Sequence, residues 1–373
     1  MRTKQQLFLI KCISAVVCLF CTNISLANMA SPLRPGTYAS DAFSSRDIDI
    51  LKERIHITVD QDFRNAFYKI EYYIRSDSAG SQVPLLFYAK DYKGAFRVWV
   101  DDKAVTLLDI PPSYTAGDSV VEKFSNAFSD GANSEKPAVT IHWDKNRSAL
   151  YSLDDLKYFE VAISKGEHQI RVEYVAAVWT DVSGWIKEYS FRYALSPAQH
   201  WRSFSSLEIT VDGTAFNRSL ESNVGNPSRG STNAIATWNF SKLPGDYFEI
   251  VYKPQVNAFV ALLIAVAPFG LAIIFGLLLM LLHFFSIKKF RGQNPETKYS
   301  WIMIAGSLLI PLAILIFYIG AYDIIDDLIG EDAGRYHGYT FLAIALYPLI
   351  LPVYFFVMWL VDKQIKLRIA KSA

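Results

Sequence analysis

Three long runs without a formal charge fill the last third of this 373-residue chain, and they constrain its fold more than anything else in it. Residues 256–285 make 30 consecutive positions without Asp, Glu, Lys or Arg, and 301–322 and 340–361 make 22 each. A helix needs about 20 apolar residues to cross the hydrocarbon core of a bilayer, so each run predicts a membrane span. At about 1.5 Å per residue the first run would reach roughly 45 Å against a core of roughly 30 Å. It should therefore tilt or bend, and Pro268 is the natural place.

Charges between the runs set their direction. Lys288, Lys289, Arg291 and Lys298 face only Glu296 after the first run, and Lys363, Lys366, Arg368 and Lys371 follow the third. Basic connections stay in the cytoplasm. Between the second and third runs lie Asp323, Asp326, Asp327, Glu331 and Asp332 with Arg335, which suits the outer side. The predicted order is out, in, out, in, with a cytoplasmic C-terminus.

The first 27 residues carry Arg2, Lys4 and Lys11, then an apolar run over 13–20, then a stretch ending Ser25-Leu-Ala27. This is the layout of a secretory signal peptide; the alternative is an uncleaved anchor helix, and either one exports the chain from residue 28 onward. All three cysteines, Cys12, Cys18 and Cys21, fall inside it. A long exported region without cysteine favours a bacterial source, because exported eukaryotic domains often use disulfides. The expected location is the bacterial inner membrane, with residues 28–255 in the periplasm or exterior.

Residues 28–255 hold 25 Lys and Arg against 29 Asp and Glu, a formal charge of −4 that gives no reason to expect nucleic acid. Their hydrophobic pattern has period two. Ile55-His-Ile-Thr-Val59, Tyr68-Lys-Ile-Glu-Tyr72, Phe96-Arg-Val-Trp-Val100, Val139-Thr-Ile-His-Trp143 and Ile170-Arg-Val-Glu-Tyr174 alternate as half-buried strands do. Further segments at 189–193, 207–211, 235–240 and 248–252 bring the count to nine or more. Asp101-Asp-Lys103, Ser164-Lys-Gly166 and Asp212-Gly213 supply turn signals. The predicted fold class is mainly β, one or two antiparallel β-sandwiches with a boundary near Ser183-Gly184 if there are two, followed by an all-α membrane region of three helices. Residues 107–137 interrupt the strands with Pro111, Pro112, Gly117, Gly131 and Pro137, and Val120, Val121, Phe124 and Phe128 take a short helical spacing.

Tyr193-Ala-Leu195, Pro197, Trp201 and Leu207-Glu-Ile-Thr-Val211, about 20 residues of 373, resemble a pattern in exported bacterial proteins of unknown function. That group has a β-sandwich region and sometimes a membrane anchor. The resemblance implies the fold and carries over no catalytic or binding residue.

Chemistry leaves little trace. His56, His142, His168 and His200 lie far apart without a metal-ligand spacing, and no nucleophile elbow, phosphate loop or dinucleotide fingerprint occurs. Asp101 and Asp102 sit in a predicted turn, and Asp154 and Asp155 in a cap or turn. No cofactor is implied. Of the six tryptophans in the exported region, Trp99, Trp143 and Trp238 lie within alternating strands and read as core. Trp179 and Trp185 flank Asp181 and Gly184, and with Asp181 they form the candidate ligand-binding set, as sugar or peptide recognition would use. Asp323, Asp326, Asp327, Glu331 and Asp332 form a candidate metal set through oxygen ligands. The alternative for that stretch, which the helical face of Ile324, Ile325, Leu328 and Ile329 favours, is a short packing helix on the membrane or under the sandwich.

Three functions stand as expectations. The first is an envelope protein whose exported region binds a protein or glycan partner without catalysis. The second is an accessory subunit of a membrane transport or envelope-assembly complex, in contact with lipid and another membrane protein. The third is a hydrolase with a site assembled from distant residues.

Overall fold

The computed structural model describes residues 33–34, 37–39, 48–77, 80–108, 138–144, 147–152, 156–195, 198 and 202–372. The predicted leader with its cysteines, most of the 107–137 interruption, Asp154 and Asp155, Pro197, His200 and Trp201 lie outside the described residues. The chain forms two compact units: a mainly β unit spanning 32–261 with 326–336, and a helical unit built from 262–325 and 337–373.

In the β unit the alternation of the sequence becomes alternation of burial. The strand Ile48–Val59 buries Ile55, Ile57 and Val59 and leaves the residues between them half-exposed, and Asn65–Ser76 does the same with Tyr68, Ile70, Tyr72 and Ile74. These two strands form the centre of the largest sheet. Its strand order is Arg229–Gly230, Ile235–Phe240, Leu207–Asp212, Ile48–Val59, Asn65–Ser76, Gly166–Ala177, Lys93–Val100 and Lys103–Val105. Neighbours are antiparallel except that Leu207–Asp212 and the short Ser203–Phe204 run parallel to Ile48–Val59. The sheet is thus mixed where the sequence pattern predicted an antiparallel one. Period two reports which face a residue takes, not the direction of its neighbour.

A second sheet joins Leu33–Arg34, Trp179–Asp181, Glu188–Ala194, Tyr247–Tyr252 and Glu221–Ser222. The two sheets contribute to one buried cluster, drawn from strands on both sides of residue 183. Aromatic contacts fasten it: Tyr72 and Tyr193 share a hydroxyl hydrogen bond of 2.8 Å, and Trp238 meets Phe248 edge-on at 5.5 Å. Phe63 takes a left-handed φ of 54° in the turn after Ile48–Val59, a conformation that costs an aromatic residue strain. Burial offsets it, because the ring packs against Phe191 at 4.9 Å and Phe216 at 5.0 Å.

The turn signals resolve unequally. Asp101 and Asp102 both have positive φ, 48° and 61°, and close a two-residue hairpin in which Val100 pairs with Lys103. Around Ser164, by contrast, the flanking strands do not pair with each other. Leu156–Ile163 belongs to a separate three-stranded sheet and Gly166–Ala177 to the large one.

The helical unit holds three helices long and apolar enough to cross a membrane, Ala258–Gln293, Trp301–Asp332 and Thr340–Ala370. The first breaks at Ala267, with φ 58° and ψ 164°, immediately before Pro268. That is where its excess length predicted a bend. The second remains α-helical to Ile329, so Asp323, Asp326 and Asp327 sit on its last turns rather than on a separate short helix. The third opens as a 3-10 helix over Thr340–Leu346 and continues as α-helix from Tyr347 to Ser372. Between them, His283 of the first helix pairs with the Tyr354 hydroxyl of the third and the Ile302 carbonyl of the second, each at 3.1 Å. Gly306 makes room for that ring, since a Cβ there would lie 2.3 Å from His283 Nε2. Many apolar side chains stay exposed, Leu282, Leu309 and Leu349 each above 60%. Lipid would cover such a surface.

Candidate functional site

One member of each set singled out from the sequence, Trp185 and Asp332, lies where two distant segments meet within the β unit, while Asp323 belongs to the helical unit. Residues 326–336, the link between the second and third helices, fold against the turn from Val182 to Tyr189. The Lys187 amide donates to the Asp332 carbonyl at 2.8 Å and the Gly334 amide donates to the Trp185 carbonyl at 2.9 Å, around a bridge that pairs Ile186 with Ala333. Lys187 Nζ donates to the Glu331 carbonyl, and the Tyr189 hydroxyl donates to Asp332 Oδ1 at 2.9 Å. Ala333 and Gly334 are buried.

Backbone passes so close to backbone here that only glycine fits: a Cβ on Gly334 would lie 2.0 Å from the Gly184 carbonyl oxygen and 2.8 Å from that of Val182. The next residue, Arg335, takes φ 58° and reaches Asp327 at 3.5 Å. Burial, followed by the Asp332 carboxylate, pushes the Tyr189 hydroxyl up to about 12. It stays a neutral donor throughout the physiological range.

This arrangement corrects two expectations. Trp179 is not an exposed stacking surface but 1% exposed, because its indole N–H donates to the Thr37 carbonyl at 3.0 Å and the Arg192 guanidinium lies 4.8 Å from its ring centre. Asp181 is committed locally, accepting from the Ser183 amide at 2.8 Å, and Trp185 is half-buried beside the docked segment. The acidic residues of the link are likewise parcelled out: Asp332 to Tyr189, Asp327 to Arg335, Asp326 buried, Asp323 and Glu331 exposed. Among the described residues no group of three or more His, Cys, Asp or Glu is placed to hold a metal ion.

A second feature departs from the sequence reading. Trp99 does not belong to the core: Phe96, Val98 and Val100 take the buried face of their strand, which sends Trp99 with Arg97 to the other. The parity is readable in the sequence, and the large apolar side chain masks it. Trp99 ends a row of directly paired residues crossing the large sheet, Glu208, Arg54, Glu71, Arg171 and Trp99. Charge alternates along it. Lys52 and Arg54 pair with Glu208 at 2.8 and 3.5 Å, Lys69 with Glu71 at 2.8 Å, and Arg171 with Glu173 and Asp102 at 3.5 Å each. The Arg171 guanidinium lies 4.4 Å from the Trp99 ring centre, and Arg54 lies 5.2 Å from that of Tyr73, whose hydroxyl accepts from Arg54 Nη1 at 3.0 Å.

The structure brings a histidine against a carboxylate and a serine, the grouping of His168 with Asp101 and Ser164. His168 Nδ1 lies 2.7 Å from Asp101 Oδ2, and Nε2 lies 2.9 Å from the Ser164 carbonyl and 3.3 Å from its hydroxyl. The shorter contact of Nε2 is to a carbonyl, which only accepts, so the ring is best served as an imidazolium donating at both nitrogens. Desolvation opposes that charge, but the Asp101 carboxylate and the Ser164 carbonyl outweigh it and raise His168 above its ordinary value. Burial pushes Asp101 up, and the hydrogen bonds from His168 and the Gln169 amide outweigh this and leave it lowered. A raised histidine stabilises below its unfolded pKa and loses that contribution as pH rises through the folded value. A lowered aspartate stabilises above its unfolded pKa and loses it as pH falls through the folded value. The clamp is therefore strongest between the two. Asp101 is half-exposed, which limits the pair to below about 1 kcal/mol. His168→Ala should speed amide exchange at Gln169 and flatten its extra pH dependence between mildly acidic and alkaline solution; an unchanged profile would remove the clamp.

No protein-family model matches the chain, and no curated protein matches it. Among solved structures it is similar to an M1 zinc metallopeptidase from Deinococcus radiodurans, at TM-score 0.26 and 10% identity over 56% of this chain and 43% of that one. It is also similar to native yeast LTA4 hydrolase, at TM-score 0.27 and 5% identity over 58% and 31% of the two chains. The chain thus spans less than half of each of these structures, and likeness this slight carries no argument about activity.

Proposed function

We propose that this chain is a bacterial envelope protein, held in the inner membrane by three helices, whose exported β-sandwich binds a protein or glycan partner without catalysis. The observation that carries the reading is the docked link. Residues 326–336 are part of the β unit, so the β unit and the connection between the second and third spans share one side of the membrane. This supports the out, in, out, in order independently of the basic residues at 288–298 and 363–371. The β unit is thus continuous in the chain with the helices at residue 261 and again at both ends of the link. The paired charges of the large sheet and the imidazolium clamp at His168 favour recognition over bond cleavage.

Accessibility tests the topology. The native cysteines all precede residue 28. In a background with those cysteines replaced, Glu331→Cys should react with a membrane-impermeant maleimide in intact cells and Gln293→Cys only after permeabilisation. The reverse pattern would overturn the orientation. The accessory-subunit reading draws on an apolar groove of about 460 Å³ between the second and third helices, lined by Leu308, Leu351, Pro352, Phe355, Phe356 and Trp359. Crosslinking in native membranes from photoreactive residues at 308 and 356 should capture a second membrane protein if that reading holds, and lipid alone if it does not.

A further inference from the structure

We infer that the outward face of the large sheet binds an uncharged linear glycan, laid across the strands along Glu208, Arg54, Glu71 and Arg171 and ending on Trp99. This rests on the reading of the β unit as an exported binding module and names its ligand class and its surface.

The charge pattern excludes the obvious alternatives. The ion-paired groups on this face are Lys52, Arg54, Lys69 and Arg171 against Glu71, Asp102, Glu173 and Glu208, four of each sign. A nucleic acid or an acidic polysaccharide needs a large surplus of cations, and the ion-paired groups of the row balance, with Arg97 beside Trp99 outside that count. A protein partner draws its affinity from apolar anchors in desolvated pockets, with charged residues depleted at the centre of the interface. A row of alternating ions is the opposite arrangement.

A sugar chain fits what remains. Each pyranose offers an apolar C–H face and a rim of hydroxyls that both donate and accept. Guanidinium forks donate two parallel hydrogen bonds and carboxylates accept two, so alternating Arg and Glu can satisfy a rim of alternating hydroxyl roles. Successive members of the row stand on neighbouring strands, about 4.8 Å apart, close to the rise of one pyranose along an extended chain. Trp99 at one end and Tyr73 beside the row supply ring surface for the C–H faces. Most of these side chains are only half-buried: Arg54 is 44% exposed, Glu208 31% and Arg171 27%. Hydroxyls can reach them without breaking the sheet.

The test uses full-length protein in detergent, with cellohexaose and chitohexaose as probes and heparin as the polyanion control. Saturable binding of at least one neutral hexasaccharide is expected, with Trp99→Ala weakening it about tenfold, the loss of one aromatic platform. Because Trp99→Ala could act through folding, a second variant exchanges Glu71 and Arg171 (E71R with R171E). The exchange keeps the net charge but breaks the ion pairs of Glu71 with Lys69 and of Arg171 with Glu173 and Asp102. Its reading is therefore compared with Glu208→Gln, which unmakes only the half-exposed pairs with Lys52 and Arg54, and such pairs contribute little to stability. Glu208→Gln should bind less tightly while unfolding near the temperature of the parent. Binding of neither hexasaccharide, binding by Trp99→Ala and Glu208→Gln equal to that of the parent, or binding of heparin alone would overturn the inference. If sugars fail while crosslinking from the β unit still captures a protein, the inference falls and the binding role stands.

Discussion

Gly334→Val should release residues 326–336 from the β unit. The added Cβ would lie 2.0 Å from the Gly184 carbonyl oxygen and 2.8 Å from that of Val182, and both obstacles are backbone, which cannot swing aside as a side chain can. Relief requires the strand-like contact to open, and with it go the amide bonds from Lys187 to Asp332 and from Gly334 to Trp185 and the bond from the Tyr189 hydroxyl. The expected cost is about 3 kcal/mol, at the upper end for overpacking. Hydrogen exchange at the Lys187 amide reads the event directly and should accelerate by about two orders of magnitude. Arg335→Gly is the matched control. It removes a positive-φ strain and one exposed ion pair at the next position, so it should leave that exchange rate nearly unchanged. Protection retained in the valine variant would mean that the docked geometry is not the one described.

Removing Asp362 should be as damaging in the helical unit. Arg291 is 1% exposed and donates from Nε to Asp362 Oδ1 at 2.7 Å and from Nη2 to Oδ2 at 2.5 Å, while Nη1 donates to the Thr297 carbonyl at 2.7 Å. The pair fastens the end of the first helix to the third. Asp362→Ala leaves the guanidinium buried without its counter-charge, a change that costs about 3–5 kcal/mol. Thermal unfolding of detergent-solubilised protein should show the loss as a clear fall in midpoint. Replacing both partners, Arg291→Met with Asp362→Leu, should recover most of it, because two apolar groups leave nothing unsatisfied. A single variant as stable as its parent would show that water reaches the pair.

Much of this architecture is legible in local pattern. Alternation at 55–59, 68–72, 96–100 and 170–174 assigns the strands and their buried faces, and the uncharged runs assign the helices to within a few turns. What local pattern does not carry is the pairing of distant segments. The contact between Ile186 and Ala333 joins residues 147 positions apart, and nothing in the sequence around either announces the other. The acidic link reads as one charge feature because its carboxylates are neighbours in sequence; its structure separates them, since helix and turn send Asp327 to Arg335 and Asp332 to Tyr189. Trp179 and Trp99 exchange their expected places for a different reason. The size and apolarity of an indole suggest core or stacking surface regardless of parity and local pairing, although Trp99 stands between the inward Val98 and Val100. The cluster in which Arg202, Arg75 and Ser203 surround the buried Asp49 is invisible in sequence for the same cause as the docked link: its members are distant, and their carboxylate, held well below its usual range chiefly by Arg202, is recognised only once they meet.

The docked link also dictates an order of manufacture. A ribosome delivers the β strands first, then the first helix and most of the second, and only then the eleven residues from Asp326 to Tyr336 that complete the β unit. Until that segment has been made, its contacts with the Trp185 carbonyl and the Tyr189 hydroxyl cannot form. A secreted fragment ending near residue 255 would therefore be a domain short of one of its own pieces, however soluble it proved. If the three helices span a membrane in the proposed order, their correct insertion becomes a condition for finishing the β unit, and a chain inserted the wrong way round would betray itself by an unfinished surface.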